Sequence, residues 1–241
     1  MYYVRPLISA HQGGRRVDGQ SAAQRYRDAI ALGVDYVEFD VRRTRDGVTV
    51  IFHDDGTVSG RAIRGFDYRD LADELGQEAL TFDDLLDIAA GHVGLHLDLK
   101  ETGYEASIVR AMLDRCAIDQ FVITSGDAAI HTIKEEFPQV RAGLSVGDDL
   151  SRISPWLKPG ARLSELFPHR RLERCGADFV AVNEQIAVLT VLSYCKRRGI
   201  PAWVWTVDDE RAIARFLRDP RVTAVITNRP DIALRLRTLL S

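Results

Sequence analysis

The sequence predicts an α/β chain of the (β/α)8 TIM-barrel class, with a small antiparallel addition after the second strand. Three observations predict it. Short β-rich runs alternate with longer segments of helical period. The 241 residues match the roughly 250 that eight β/α units need. The second β-rich run, YVEFDV, alternates apolar and acidic residues, as a strand does when one face packs on helices and the other looks into a barrel.

The strands are expected, in order, at Leu7–Ala10, Tyr36–Val41, Gly94–Leu99, Phe121–Thr124, Arg141–Leu144, Phe179–Val182, Pro201–Thr206 and Ala224–Thr227. Between them, Ser21 before AAQRYRDAIAL, Thr81 before FDDLLDIAA and Asp208 before DERAIARFL have the side chains that cap helix N-termini. Gly33 and Gly199 suit helix C-terminal stops. The run VTVIFH follows a tight Asp46-Gly47 turn and is the antiparallel addition. Asp54–Leu80, rich in Gly, Asp and Arg, reads as an excursion above the strand ends, and Pro155–Pro168 as a second irregular connection. No internal repeat or linker divides the chain, so residues 1–241 are expected to form one domain.

Composition narrows the function classes. The apolar fraction is 46% and the formal net charge −3, which argues against a surface built for nucleic acid, because backbone affinity accumulates from many Lys and Arg contacts. Phosphate chemistry would therefore need a local positive pocket. Cys116, Cys175 and Cys195 are far apart and lack metal-ligand spacing, which suits a reducing cytoplasm. No export signal is legible at Met1–Pro6, and no segment approaches the roughly 20 apolar residues of a membrane span.

Within YVEFDV, Glu38 and Asp40 share one face while Val37, Phe39 and Val41 share the other. Two adjacent carboxylates repel unless one is protonated or a cation compensates them. The next barrel strand, HLDLK, turns Asp98 and Lys100 to the same interior. Asp98 can complete a three-carboxylate metal site, and Lys100 can neutralise a phosphate oxygen beside it. Hard oxygen ligands favour Mg²⁺, Ca²⁺ or Mn²⁺ over zinc. His11, closing the first strand, and His53, closing the added strand, are the candidate acid/base pair. Either could instead be an ordinary polar residue at a strand end. His92 reads as a helix-end residue and His96 as a satisfied polar group lower in the barrel, whereas His131 and His169 carry no pattern.

The run from Ala10-His11 through GVDYVEFDVRRTRDGVTVIFHDD resembles the glycerophosphodiester phosphodiesterase family: an opening histidine, an E-x-D pair and a second histidine. LTFDDLLDIA, LHLDLKE, the Phe137-Pro138 turn, WVWTVDD and VITNRPD resemble later family blocks in the same order, over essentially the whole chain. The resemblance implies hydrolysis of a glycerophosphodiester. Glu38, Asp40 and Asp98 would hold a divalent ion, His11 and His53 would be catalytic, Lys100 would bind phosphate and Trp205 would border the glycerol.

Departures cluster near the phosphate. Gln12 stands where the family usually has Arg, and can donate a hydrogen bond but no charge. Arg15 or Arg16, in the HQGGRR segment, could supply the missing charge or remain solvated loop residues. Asp18-Gly19-Gln20-Ser21 replaces the common Pro-Glu-Asn-Thr, Asp98 replaces the usual Glu, and Asn228 stands where Asp is frequent. Two other activities fit the same residues: a lyase in which a substrate hydroxyl attacks phosphorus to release a cyclic phosphate, and a barrel that binds phosphoesters without turnover.

Overall fold

The computed structural model describes residues 5–147 and 163–240. Among the described residues, nine strands form one sheet: β1 (Leu7–Ala10), β2 (Tyr36–Arg43), β3 (Thr49–Ile51), β4 (Gly94–Leu99), β5 (Phe121–Ser125), β6 (Ala142–Val146), β7 (Phe179–Asn183), β8 (Ala202–Trp205) and β9 (Ala224–Thr227). Eight of them are parallel and run in the order β1-β9-β8-β7-β6-β5-β4-β2, and β1 also pairs with β2, so the sheet closes into a barrel. β3 pairs antiparallel with β2 from outside the cylinder, as the addition predicted by the sequence.

Each expected strand is present with small shifts. β2 continues to Arg43 because β3 pairs with its last residues, Val41↔Ile51 and Arg43↔Thr49. The turn between them is closed by Thr44 N–H to the Val48 carbonyl at 2.9 Å, with Gly47 at φ +90°, a left-handed conformation that suits glycine.

The helices that position the mouth of the barrel are α1 (Ala22–Leu32), α2 (Tyr68–Leu75), α3 (Phe82–Ala89), α4 (Glu105–Arg115), α5 (Asp127–Glu136), α6 (His169–Cys175), α7 (Leu192–Arg198), α8 (Glu210–Arg218) and α9 (Pro230–Leu239). Ser21 caps α1, and Thr81 forms a reciprocal capping box with Asp84 on α3. Gly33 and Gly199 end their helices in the left-handed conformation. The cap of α8 is Asp209, not Asp208: the Asp209 carboxylate accepts from Ala212 N–H at 2.9 Å, while Asp208 is engaged elsewhere. The irregular connection expected over Pro155–Pro168 lies outside the described residues as far as residue 162; residues 163–166 are helical, with Phe167 N–H bonded to the Leu163 carbonyl.

Strand alternation divides the core. Outward residues such as Val37, Phe39, Val41, Leu95, Leu97 and Ile123 pack against the helices. Inward residues Tyr36, Val122, Phe179, Ala181, Trp203 and Ile226 fill the barrel. Gly143 makes room for this plug, since a Cβ there would lie 2.3 Å from the Phe179 ring. A third cluster, Val50, Ile63, Phe66, Leu71 and Ala79, lies under the 54–80 excursion and anchors it on β3. The aromatic plug fills the lower barrel, where Ser9 and His96 are buried and bonded to each other, and the inward acids lie nearer the C-terminal strand ends. No helix among the described residues is long and apolar enough to cross a membrane.

Candidate active site

The parallel register of β2 and β4 sets Glu38 opposite His96 and Asp40 opposite Asp98. Partners in register share a face, so three acids meet: Glu38, Asp40 and Asp98 each present an oxygen within 4.8 Å of the others. Glu38 and Asp40 are buried. Lys100, two residues beyond Asp98, brings Nζ to 2.5 Å from Asp98 Oδ2 and 2.9 Å from Asp40 Oδ1. Burial opposes the ammonium charge, but Asp98 and Asp40 outweigh it and hold Lys100 above its ordinary range. One cation faces three acids, and Glu38 bears the excess. Burial, then Asp40 and Asp98, push its carboxyl well above the usual range.

The charge deficit is local and oriented. Asp40 Oδ1 is buried and receives no hydrogen bond; its contact with Lys100 Nζ is a 2.9 Å ion pair lying off donor geometry. A buried carboxylate oxygen without a donor, beside a protonation-prone neighbour, suits a hard divalent cation.

Asp98 is kept ionised by Lys100 despite its burial. Beneath it, Thr124 Oγ1 donates to Asp98 Oδ1 at 3.2 Å, so His96 Nε2–H donates to Thr124 Oγ1 at 3.0 Å and His96 Nδ1 accepts from Ser9 Oγ at 3.2 Å. Burial lowers the His96 pKa to about 3 and keeps the ring neutral. His96 is thus the satisfied polar group low in the barrel that the sequence suggested, and it supports Asp98 from below.

His11 follows β1. Its Nδ1 lies 2.9 Å from Asn228 Oδ1, while Asn228 Nδ2 and main-chain N–H both donate to Asp208, at 2.7 and 2.8 Å. Asp208 accepts only, so the amide oxygen of Asn228 must face His11. That oxygen accepts, so Nδ1 carries the proton and Nε2, 3.9 Å from Glu38 Oε2, presents its lone pair to the site. Burial lowers the His11 pKa, with the Asn228 contact and Asp40 opposing it. His53, beyond β3, is 45% exposed at its side chain and bonds Asp54 through Nδ1 at 2.8 Å. The two rings stand 6.3 Å apart between centroids, nearly perpendicular.

Gln12 is in the left-handed region at φ +51°. Its N–H donates to Glu38 Oε2 at 2.7 Å and its carbonyl accepts from Arg25 Nε at 2.6 Å. Its side-chain oxygen accepts from Arg16 at 3.3 Å. Arg16 and Gln12 border a groove of about 670 Å³ beside His53, whereas Arg15 is exposed and does not line that groove. Trp205 is half-buried and lines a cavity of about 110 Å³ with His11, Glu38, His53, Asp98 and Lys100. A second groove, of about 910 Å³, leads from Lys100 past Arg42, Arg64 and Tyr104.

Sequence reasoning missed Arg25, Arg42, Thr124 and Asp208. For Arg42 a signal existed, since residues 38, 40 and 42 share one strand face. Asp208 was read as a helix cap, but it holds Asn228. With an acid at 208, Asn at 228 is the side chain that can donate to it and still accept from His11.

A model of the Glycerophosphoryl diester phosphodiesterase family matches residues 21–232. The chain is 28% identical over 220 residues, 86% of its length and 81% of the other's, to a Mycobacterium tuberculosis protein named "Probable glycerophosphodiester phosphodiesterase 2". It is 21% identical to a glycerophosphodiester phosphodiesterase of Caldanaerobacter subterraneus, covering 97% and 98% of the two chains. Among solved structures, a glycerophosphodiester phosphodiesterase from Parabacteroides distasonis superposes with TM-score 0.80 at 20% identity over 100% of both chains. An Oleispira antarctica phosphodiesterase in complex with the product sn-glycerol-3-phosphate gives TM-score 0.75 at 23% identity over 96% of each.

Proposed function

Because the chain belongs to the glycerophosphoryl diester phosphodiesterase family and is a phosphoric diester hydrolase, we propose that it cleaves a glycerophosphodiester to glycerol phosphate and an alcohol. The observation that carries the reading is the convergence of three carboxylate oxygens within 4.8 Å of one another beside two histidine rings 6.3 Å apart. Residues 1–241 act in this reading as one catalytic unit. The product follows the Oleispira antarctica neighbour, which is seen with sn-glycerol-3-phosphate.

Glu38, Asp40 and Asp98 would hold a divalent ion, Mg²⁺ or Ca²⁺, with Mn²⁺ a workable substitute. The ion supplies Lewis-acid polarisation of the phosphoryl group. Lys100 donates to a non-bridging phosphoryl oxygen. His11 Nε2, unprotonated because burial favours the neutral ring and Asn228 holds its single proton on Nδ1, takes the proton of the attacking water as its oxygen bonds to phosphorus. The P–O bond to the alcohol breaks, and protonated His53 passes its proton to the departing alkoxide. Diester and water become monoester and alcohol, and His53, open to solvent, regains a proton while His11 loses one. Trp205 walls the glycerol. Gln12 and Arg16 serve the phosphate side, and Arg15 is assigned no contact. The three buried, unpaired cysteines suit a cytoplasmic setting.

Phosphorus NMR of the first product, with Mg²⁺ and then with a chelator, tests this. A monoester formed directly and only with metal is expected. A cyclic ester formed first would make the enzyme a lyase, and silence across a panel of diesters would leave a non-catalytic phosphoester-binding barrel.

A further inference from the structure

We infer that Arg42 is a positioning residue for His53, fixing the main chain on which that histidine is carried. The inference rests on the catalytic reading of His53.

β3 ends at Ile51, and the bond from Phe52 N–H to the Asp40 carbonyl, 3.0 Å, ties the following residue to the barrel. His53 lies one residue further on, at the start of the long excursion. Its side-chain bond to adjacent Asp54 is local and exposed, so it cannot set the ring relative to the acids. Arg42 can. It stands on the same face of β2 as Glu38 and Asp40, one step nearer the rim, and its side chain is 7% exposed. Nε and Nη2 both donate to the His53 carbonyl, at 3.1 and 2.9 Å.

The guanidinium is itself fixed on two sides. Nη2 meets Asp55 Oδ1 at 2.6 Å and Nη1 meets Glu101 Oε1 at 3.3 Å. Glu101 follows Lys100, so one planar group links the segment that carries the phosphate-binding lysine to the segment that carries the histidine. Lysine cannot reproduce this, because its donors radiate from a single nitrogen. Proton transfer needs the ring within hydrogen-bond reach of the leaving oxygen, and a misplacement of about 1 Å can cost about 100-fold in rate.

The test compares Arg42→Met and Arg42→Lys in the parent chain and in His53→Ala, measuring kcat, KM, Mn²⁺ affinity and thermal unfolding. Asp55 and Glu101 are 41% and 23% exposed at their side chains, so water can take the place of the lost guanidinium. Arg42→Met should lower kcat about 30- to 100-fold with Mn²⁺ affinity unchanged, and Arg42→Lys about tenfold. In His53→Ala neither change should lower the residual rate further, since the effect passes through the missing imidazole. An equal loss in the His53→Ala background, or unaltered kcat in folded Arg42→Lys, overturns the inference. Should Arg42→Met fail to unfold cooperatively, Arg42→Lys alone decides. A His53→Ala chain as active as the parent would instead refute the catalytic role of His53.

Discussion

Replacing Asn228 by Asp isolates the tether of His11. Asn228 Nδ2 donates to Asp208 Oδ2 at 2.7 Å, so the new side chain would bring a second carboxylate against one that already accepts from Asn228 N–H and Thr227 Oγ1. Two unit charges about 4 Å apart repel by about 4 kcal/mol at an effective dielectric of 20, equivalent to about three pKa units. The introduced carboxyl is therefore raised in the folded state. For a raised acid the penalty is absent below the unfolded value, near 3.9, and grows as pH rises toward the folded value. Urea unfolding should show Asn228→Asp losing about 2–4 kcal/mol at pH 8 and little at pH 4. The paired exchange Asn228→Asp with Asp208→Asn restores one donor against one acceptor and should recover most of the loss. Equal stability of parent and Asn228→Asp at pH 8, or no recovery in the double variant, would refute the tether.

His96 is neutral with its pKa lowered to about 3 from 6.5; a lowered base contributes stability that is whole above 6.5 and declines as pH falls toward 3. His96→Gln should flatten that decline, which otherwise reaches about 1.4 kcal/mol per pH unit, as read by chemical denaturation from pH 7 to 4. Arg25→Met removes the donor on the Gln12 carbonyl and so loosens the N–H held on Glu38. Mn²⁺ titration should show affinity about tenfold weaker, whereas Arg27→Met on the exposed side of the same helix should leave it unchanged. His11→Ala should reduce kcat by about 100- to 10,000-fold without loosening Mn²⁺.

The barrel was legible because its strands are short and buried on both sides, and because three of the intervening helices, α1, α3 and α8, carry side-chain caps. Alternation alone placed Glu38, Asp40, Asp98 and Lys100 on the inner face, and register then brought them together. What escaped the sequence depends on reach. Arg25 extends from α1 to a residue thirteen positions earlier, and Arg42 spans two loops, distances that no periodicity encodes. The sequence placed the α8 cap at Asp208, but Asp209 caps the helix because Asp208 is held by Asn228 beyond the neighbouring strand. Gln12 was read through its side chain, yet its main chain carries the contacts with Glu38 and Arg25. Of the two arginines considered in the HQGGRR segment, only Arg16 contacts Gln12.

Anomalous scattering from crystals grown with Mn²⁺ and glycerol phosphate is the most direct measurement. A single strong peak bounded by Glu38, Asp40 and Asp98, with Lys100 turned from Asp40 toward the phosphate, is the predicted result. A map without that peak, with Lys100 still bridging Asp40 and Asp98, would contradict the account.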